Sequence, residues 1–357
     1  MRRHVRASVA NAIAFAGKEA GIPVIGAWFA HRALDRAWRR MAPFVPPTLQ
    51  EEMEGLADGA GIPLKTLQRV HALPELMAAT CSSFAAFGKA TSDGRLIHMR
   101  NLDWAIQSNV QRYAAIVVQH PEGKHSFVSI GWLGFIGVVS GINDQGISVA
   151  EIGAKTTDVV LEGIPMPFLL RRVLEESDDL EKAVGIVRTV PRTGGYNYLF
   201  AGAQAQKAVA LETTRNQCAV FWADQEPTVP FSLLVPNALF RSDWALDPAV
   251  RDLQLASRGH PNRPGLESPE GSTAYQVRYV GQGLLLRAFS GRVSPEVAMS
   301  IARAIAPSSN IQSAVFAYPE LWVATAAGRR PAAMRHYFTV DLRDLFAGAD
   351  RPRRRNE

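Results

Sequence analysis

Apolar residues recur at three- and four-residue spacing through the first forty positions, with Trp28, Phe29, Leu34, Trp38 and Met41 in the second half of that stretch. This spacing predicts helix over 5–42, broken at Gly21-Ile22-Pro23. Pro46-Pro47-Thr48 opens a second helix over 49–60, with Thr48 as N-cap and Glu51 as its capping-box partner. Gly61-Ile62-Pro63 ends it, and a third helix over 64–79 follows. From Cys81 the period shortens to two. Runs at 84–91 and 95–101, 114–119 and 126–131, and 135–142 and 147–150 read as strands. Helical spacing returns at 167–176 and 180–189, the second with Asp178 or Asp179 as cap. Strands resume at 196–202, 208–213 and 218–222. Residues 223–271 read as irregular apart from a short helix near 247–256. Helices at 275–289 and 294–305 precede strands at 311–318, 321–326 and 337–342.

Runs of strands alternating with pairs of helices predict an α+β protein built from layers of sheet and helix. The 357 residues are 47% apolar, enough for a sizeable core. A net charge of +6 is spread over scattered arginines, with Arg351, Arg353, Arg354 and Arg355 read as a solvated tail. Basic residues are not interleaved with aromatics, which argues against a nucleic-acid partner. The excess charge favours anionic substrates or a membrane surface, hence peripheral lipid contact. No apolar run reaches the length of a spanning helix. The arginines ahead of Ala7 and the polar interruptions at Ser8 and Asn11 make the N-terminus an amphipathic helix rather than a signal peptide.

Candidate chemistry centres on 80–104. Ser92-Asp93-Gly94 supplies a turn between the first two strands, so a hairpin would bring Arg100 and Asp103 back beside Cys81. A thiol near a guanidinium is a reactive setting, because positive charge favours the thiolate. The second cysteine, Cys218, lies in a strand-like run and reads as a small buried hydrophobe. No His, Cys, Asp or Glu cluster has metal-ligand spacing, and no phosphate-cradling glycine loop or serine elbow is present; no metal or cofactor is expected. His98, His120 and His125 leave a papain-like pairing open, without a local signature to support it.

The Cys81-Ser82-Ser83-Phe84 start, the Asp93-Gly94 turn and the Arg100-Asn101-Leu102-Asp103-Trp104 finish resemble the cysteine N-terminal nucleophile (Ntn) hydrolases, nearest the penicillin acyltransferase-like group. Bile-salt hydrolases, acid ceramidase and N-acylethanolamine amidase are more distant relatives. Glu54, Gly55, Ala57 and Gly59 match a pattern of that group's helical pro-segment, and the glycine-rich block at 131–151 matches as well. The resemblance implies a four-layer αββα sandwich of two antiparallel sheets. It also implies self-cleavage between Thr80 and Cys81, dividing a pro-segment, 1–80, from a catalytic domain, 81–357, which stay together as an αβ heterodimer. Cys81 would be nucleophile and, through its freed amine, base; an α-amine titrates at about 7.7–8.0. Asp103 would hold that amine and Arg100 would lie against the sulfur. Asn237 would donate to the oxyanion, with Asn197 as its rival, and Arg278, in a Ser272-Thr273…Arg278-Tyr279 element, would support the cluster. The implied activity is hydrolysis of the linear amide of a small N-acyl substrate through a Cys81 thioester. Trp104, Phe135, Tyr196 and Asn197 are the expected substrate contacts. Acyl transfer through the same thioester, or acyl-ligand binding without catalysis, are the alternatives.

Overall fold

A computed structural model describes residues 1–19, 25–77, 79–223, 232–257 and 275–348. Gly21-Ile22-Pro23, the Ser272-Thr273 start of the arginine element and the arginine tail lie outside these. Four helices open the chain: α1 (Arg2–Glu19), α2 (Ile25–Met41), α3 (Pro47–Ala60) and α4 (Leu64–Leu76). The cap expected of Thr48 is not formed. Helix α3 begins two residues earlier, with Pro47 in its first turn and no side-chain cap, because proline already fixes a helical φ there. Gly61 ends it in the left-handed region, at φ 64°.

Thirteen strands follow among the described residues. A six-stranded sheet contains β1 (Thr80–Gly88), β2 (Gly94–Asp103), β10 (Ala238–Ser242), β11 (Asn310–Ala317), β12 (Glu320–Thr325) and β13 (Phe338–Asp341), in the order β10-β1-β2-β11-β12-β13. A seven-stranded sheet runs in sequence order through β3 (Ala114–Gln119), β4 (Phe127–Trp132), β5 (Ser140–Asn143), β6 (Ile147–Gly153), β7 (Tyr196–Gly202), β8 (Lys207–Thr213) and β9 (Cys218–Trp222). Every neighbouring pair is antiparallel.

The alternation of side chains along β1 and β2 sets the layers. Ala85 and Leu96 pack on Leu199, Ala201, Ala208 and Ala210 of the second sheet. Phe84, Ala86, Ile97 and Met99 face the other way, onto Ala298, Ile301, Ala302 and Ile305 of α9 (Pro295–Ile305). Leu286 of α8 (Gly281–Ala288) joins that cluster, just after a wider helical turn at Tyr275–Val280. On the opposite side, α5 (Met166–Glu176) and α6 (Leu180–Thr189) cover the second sheet through Phe168, Leu170, Val173, Ala183 and Val187. Asp179 caps α6 by accepting from the Lys182 N–H. The result is helix on sheet on sheet on helix, as expected. A short α7 (Pro248–Ser257) and a terminal α10 (Leu342–Ala347) complete it.

Helices α1–α4 share one apolar cluster with α5, α6 and the second sheet. His71 of α4 pins this junction. Its ring stacks between Phe135 and Phe168, with centroids 4.8 and 5.4 Å away. One ring nitrogen bonds the Leu67 carbonyl, and the other accepts from the Ile136 N–H at 2.9 Å. Burial holds this imidazole neutral, with its pKa lowered to about 4.

Candidate functional site

Cys81 lies inside β1, one residue past the strand's start, and is fully buried. Sequence periodicity begins the strand only at Phe84, because Ser82 and Ser83 interrupt the apolar run. Its neighbours come from both sheets. Arg100 Nη2 lies 3.4 Å from the sulfur and donates to the Glu151 carbonyl and to Glu151 Oε2, each at 2.9 Å. Glu151 Oε2 is 3.9 Å from the same sulfur. The Cys81 N–H donates to Asp243 Oδ1 at 2.7 Å. Arg278 bridges two carboxylates, with Nη2 2.6 Å from Asp243 and Nη1 3.2 Å from Asp103. Asn310 Nδ2 donates to the other oxygen of Asp103 at 3.0 Å. The structure therefore gathers Cys81, Arg100, Asp103 and Arg278, and adds two acids, Glu151 and Asp243.

In the uncut chain the Cys81 N–H goes to Asp243, while the Asp103 carboxylate is held by Asn310 and Arg278. Asn237 is at the wrong end of β10. Ala238 pairs with Ala86 and Ser242 with Ser82, so Asn237 stands five residues, about 17 Å, from the cysteine end of the strand. Asn237 instead adopts φ 57° and accepts from the Phe87 N–H, closing a turn. Asn197 is nearer: its Nδ2 donates to the carbonyl of Ser242, the register partner of Ser82.

Burial governs the titrations. The Cys81 thiol is pushed well above its ordinary value by burial, with Arg100 opposing and Glu151 and Asp103 adding to the rise. Burial also raises Asp103 and Glu151, each to about 7, against the pull of Arg278 and Arg100 respectively. Carboxyls poised there can exchange protons near neutral pH. Among the described residues Arg100 Nε and Nη1 and Glu151 Oε1 are buried without a hydrogen-bond partner, leaving polar capacity beside the sulfur.

Next to this cluster is a cavity of about 90 Å³. Trp104, Phe135 and Tyr196, three of the four expected substrate contacts, line it with Leu102 and Glu151. Asn197 does not. Helices α1 and α4 roof it through Val9, Phe15 and Leu73, with Met77 just past α4 and Ala79 at its edge. The backbone of Ala79 crosses so close to Gly153 that any Cβ on that residue would run into the Ala79 carbonyl oxygen. The stretch just before Cys81 is thus seated in a groove that only glycine leaves open. Cys218 is a free, half-buried cysteine on β9, and Cys81 is free as well. Among the described residues no group of acids, histidines and cysteines could hold a metal ion.

The residues missed were Glu151 and Asp243. Glu151 ends an apolar strand-like run, which the sequence presents as a plain hairpin. Asp243 follows β10, a strand hidden in a stretch rich in proline and charge.

The acyl-coenzyme A:6-aminopenicillanic acid acyl-transferase model matches residues 90–226. Protein dcd1B of Dictyostelium discoideum is 31% identical over 220 residues, covering 60% of this chain and 44% of that protein. The N-acylethanolamine-hydrolyzing acid amidase of Rattus norvegicus is 24% identical over 192 residues, 52% of each chain. The chain thus spans about half the length of these curated relatives. A solved structure of the Caenorhabditis elegans N-acylethanolamine-hydrolyzing acid amidase ortholog aligns with TM-score 0.47 and 17% identity, over 66% of this chain and 92% of that one. Residues 90–226 are thus similar to the acyl-coenzyme A:6-aminopenicillanic acid acyl-transferase family.

Proposed function

We propose that this chain is a self-processing cysteine amidohydrolase acting on linear N-acyl amides. The observation that carries it is the pair of contacts on one residue: Arg100 against the Cys81 sulfur and Asp243 on the Cys81 nitrogen. A buried structural cysteine needs neither.

In the intact chain the Cys81 nitrogen is an amide and no base. Glu151, beside the sulfur and titrating near neutrality, takes the thiol proton. The thiolate attacks the Thr80 carbonyl carbon, the peptide C–N bond breaks, and the nitrogen gains the proton. Water then hydrolyses the resulting thioester. This returns the thiol and leaves an α-amine that keeps Asp243 as its hydrogen-bond acceptor. That amine, titrating near working pH, becomes the base for substrate turnover. The thiolate attacks the substrate carbonyl, the amine product leaves with a proton, and water releases the acid from the acyl-enzyme. Asn197, which keeps one amide N–H beyond its bond to Ser242, takes the oxyanion role first given to Asn237.

The cavity lined by Trp104, Phe135 and Tyr196 suits an apolar acyl chain, since its walls are almost wholly carbon. The seated Ala79 closes its edge until the chain is cut. Residues 1–80 and 81–357 then remain associated as a heterodimer through the apolar cluster they share. The test is intact mass under denaturing conditions. Wild-type protein should appear as two pieces divided before Cys81, and Cys81→Ala as one piece without amidase activity on N-acyl amides. Two pieces from Cys81→Ala, or one active piece from the wild type, sinks this reading.

A further inference from the structure

Helix α2 buries Leu34, Ala37, Trp38 and Met41 and turns a different face outward. On that face Trp28 and Phe29 are 53% and 58% exposed, an unusual exposure for two large aromatic side chains in contact, with ring centroids 4.9 Å apart. Arg32 continues the stripe one turn on, its guanidinium 4.7 Å from the centre of the Trp28 ring. Arg36 and Arg39 follow, both exposed and without an ion pair among the described residues. The one acid of this helix, Asp35, is already taken by Arg69 and Lys65.

An apolar tip set in unpaired arginines is the pattern of a helix that lies in the plane of a charged interface. The rings reach the acyl boundary while the guanidinium groups remain at headgroup phosphates, their stems lying over apolar surface. A second copy of the chain fits poorly, since pairing this face with itself would set arginine against arginine. We propose that the outward face of α2 docks on an anionic lipid surface, with Trp28 and Phe29 inserted and Arg32, Arg36 and Arg39 paired with lipid phosphates. Helix α1, packed on α2 where Ala27 closes against Gly17, also roofs the apolar cavity. Docking would therefore bring that cavity to the surface from which an amphiphilic substrate is drawn. The docking itself does not depend on the amidase reading.

Sedimentation of the full-length Cys81→Ala protein with vesicles tests it without any catalysis. Binding is expected to vesicles of phosphatidylcholine mixed with phosphatidylglycerol, to be weak on phosphatidylcholine alone, and to fall as salt rises. Replacing Arg36 and Arg39 together by Gln should weaken binding roughly 25-fold, about fivefold for each charge. The pair Trp28→Ala and Phe29→Ala should abolish it with thermal melting unchanged, since both side chains touch solvent. Aromatic variants that bind as well as the parent would overturn the proposal. So would a parent that ignores the vesicles and forms a dimer that those variants dissolve.

Discussion

At the scale of single residues, the site is a balance of buried charge in which each side chain has a partner that fixes its orientation. Asp243 is the clearest case, tied by Arg278 on one oxygen and receiving the Cys81 N–H on the other. Asp243→Ala should leave the freed amine without its acceptor, and kcat on an N-acyl amide should drop by about 10²-fold, a typical share for a lost proton-transfer partner. KM should move little, because Asp243 does not line the acyl cavity. Glu151→Gln removes the group beside the thiol that titrates near 7. Self-cleavage, followed on a denaturing gel, should slow most at neutral pH and regain part of its rate in alkali, where hydroxide can take the thiol proton. A variant that processes at the parent's rate at pH 7 would remove Glu151 from the mechanism.

At the scale of elements, what was legible in the sequence was what local spacing can show. The hairpin of β1 and β2 follows from the Asp93-Gly94 turn, and Arg100 reaches Cys81 because the register places Leu102 opposite it. Helices α3–α6 and α9 and most strands follow from period and turn residues. Strand β10 was not legible, since Arg241 breaks its apolar run and its charge is met by Glu212, a partner 29 residues away in sequence. Asp243 was hidden with it, and Asn237 drew the oxyanion assignment by its local motif alone. Glu151 was hidden because its partner, Arg100, belongs to the other sheet.

Two element-level outcomes follow. Gly153→Ala should unseat the Ala79 backbone and slow self-cleavage at least tenfold on a denaturing-gel time course, while the sheets, whose pairing ends there, keep their melting temperature. His71 binds a proton less readily folded than unfolded, so its contribution is whole above pH 6.5 and lost as pH falls towards 4. That loss amounts to about 3 kcal/mol at most. Asp103 and Glu151 act in the opposite sense, favouring the fold as they gain protons below 7. The His71 effect is therefore read as a difference. His71→Leu should be less stable than the parent at pH 7, and the gap should narrow towards pH 4.

At the scale of the whole molecule, α1, α3 and α4 are bound to the sandwich by one continuous apolar cluster. Two pieces produced by a cut before Cys81 should elute together from a sizing column in native buffer and part only in denaturant. Separation in native buffer would show that the helices cover the sandwich less firmly than this packing implies. One salt link and two hydrogen bonds reinforce the junction: Glu52 of α3 grips Arg171 of α5, and Glu75 of α4 accepts from the Met166 N–H and the Thr193 hydroxyl.

The position of β1 between β10 and β2 has one more effect. A polypeptide severed at the margin of a sheet would fray, and its loose tip would be open to trimming. A terminus made by a cut before Cys81 would be laced on both flanks from its second residue onward, where Ser82 pairs with Ser242 and Asn101, and would leave an aminopeptidase no slack to grip.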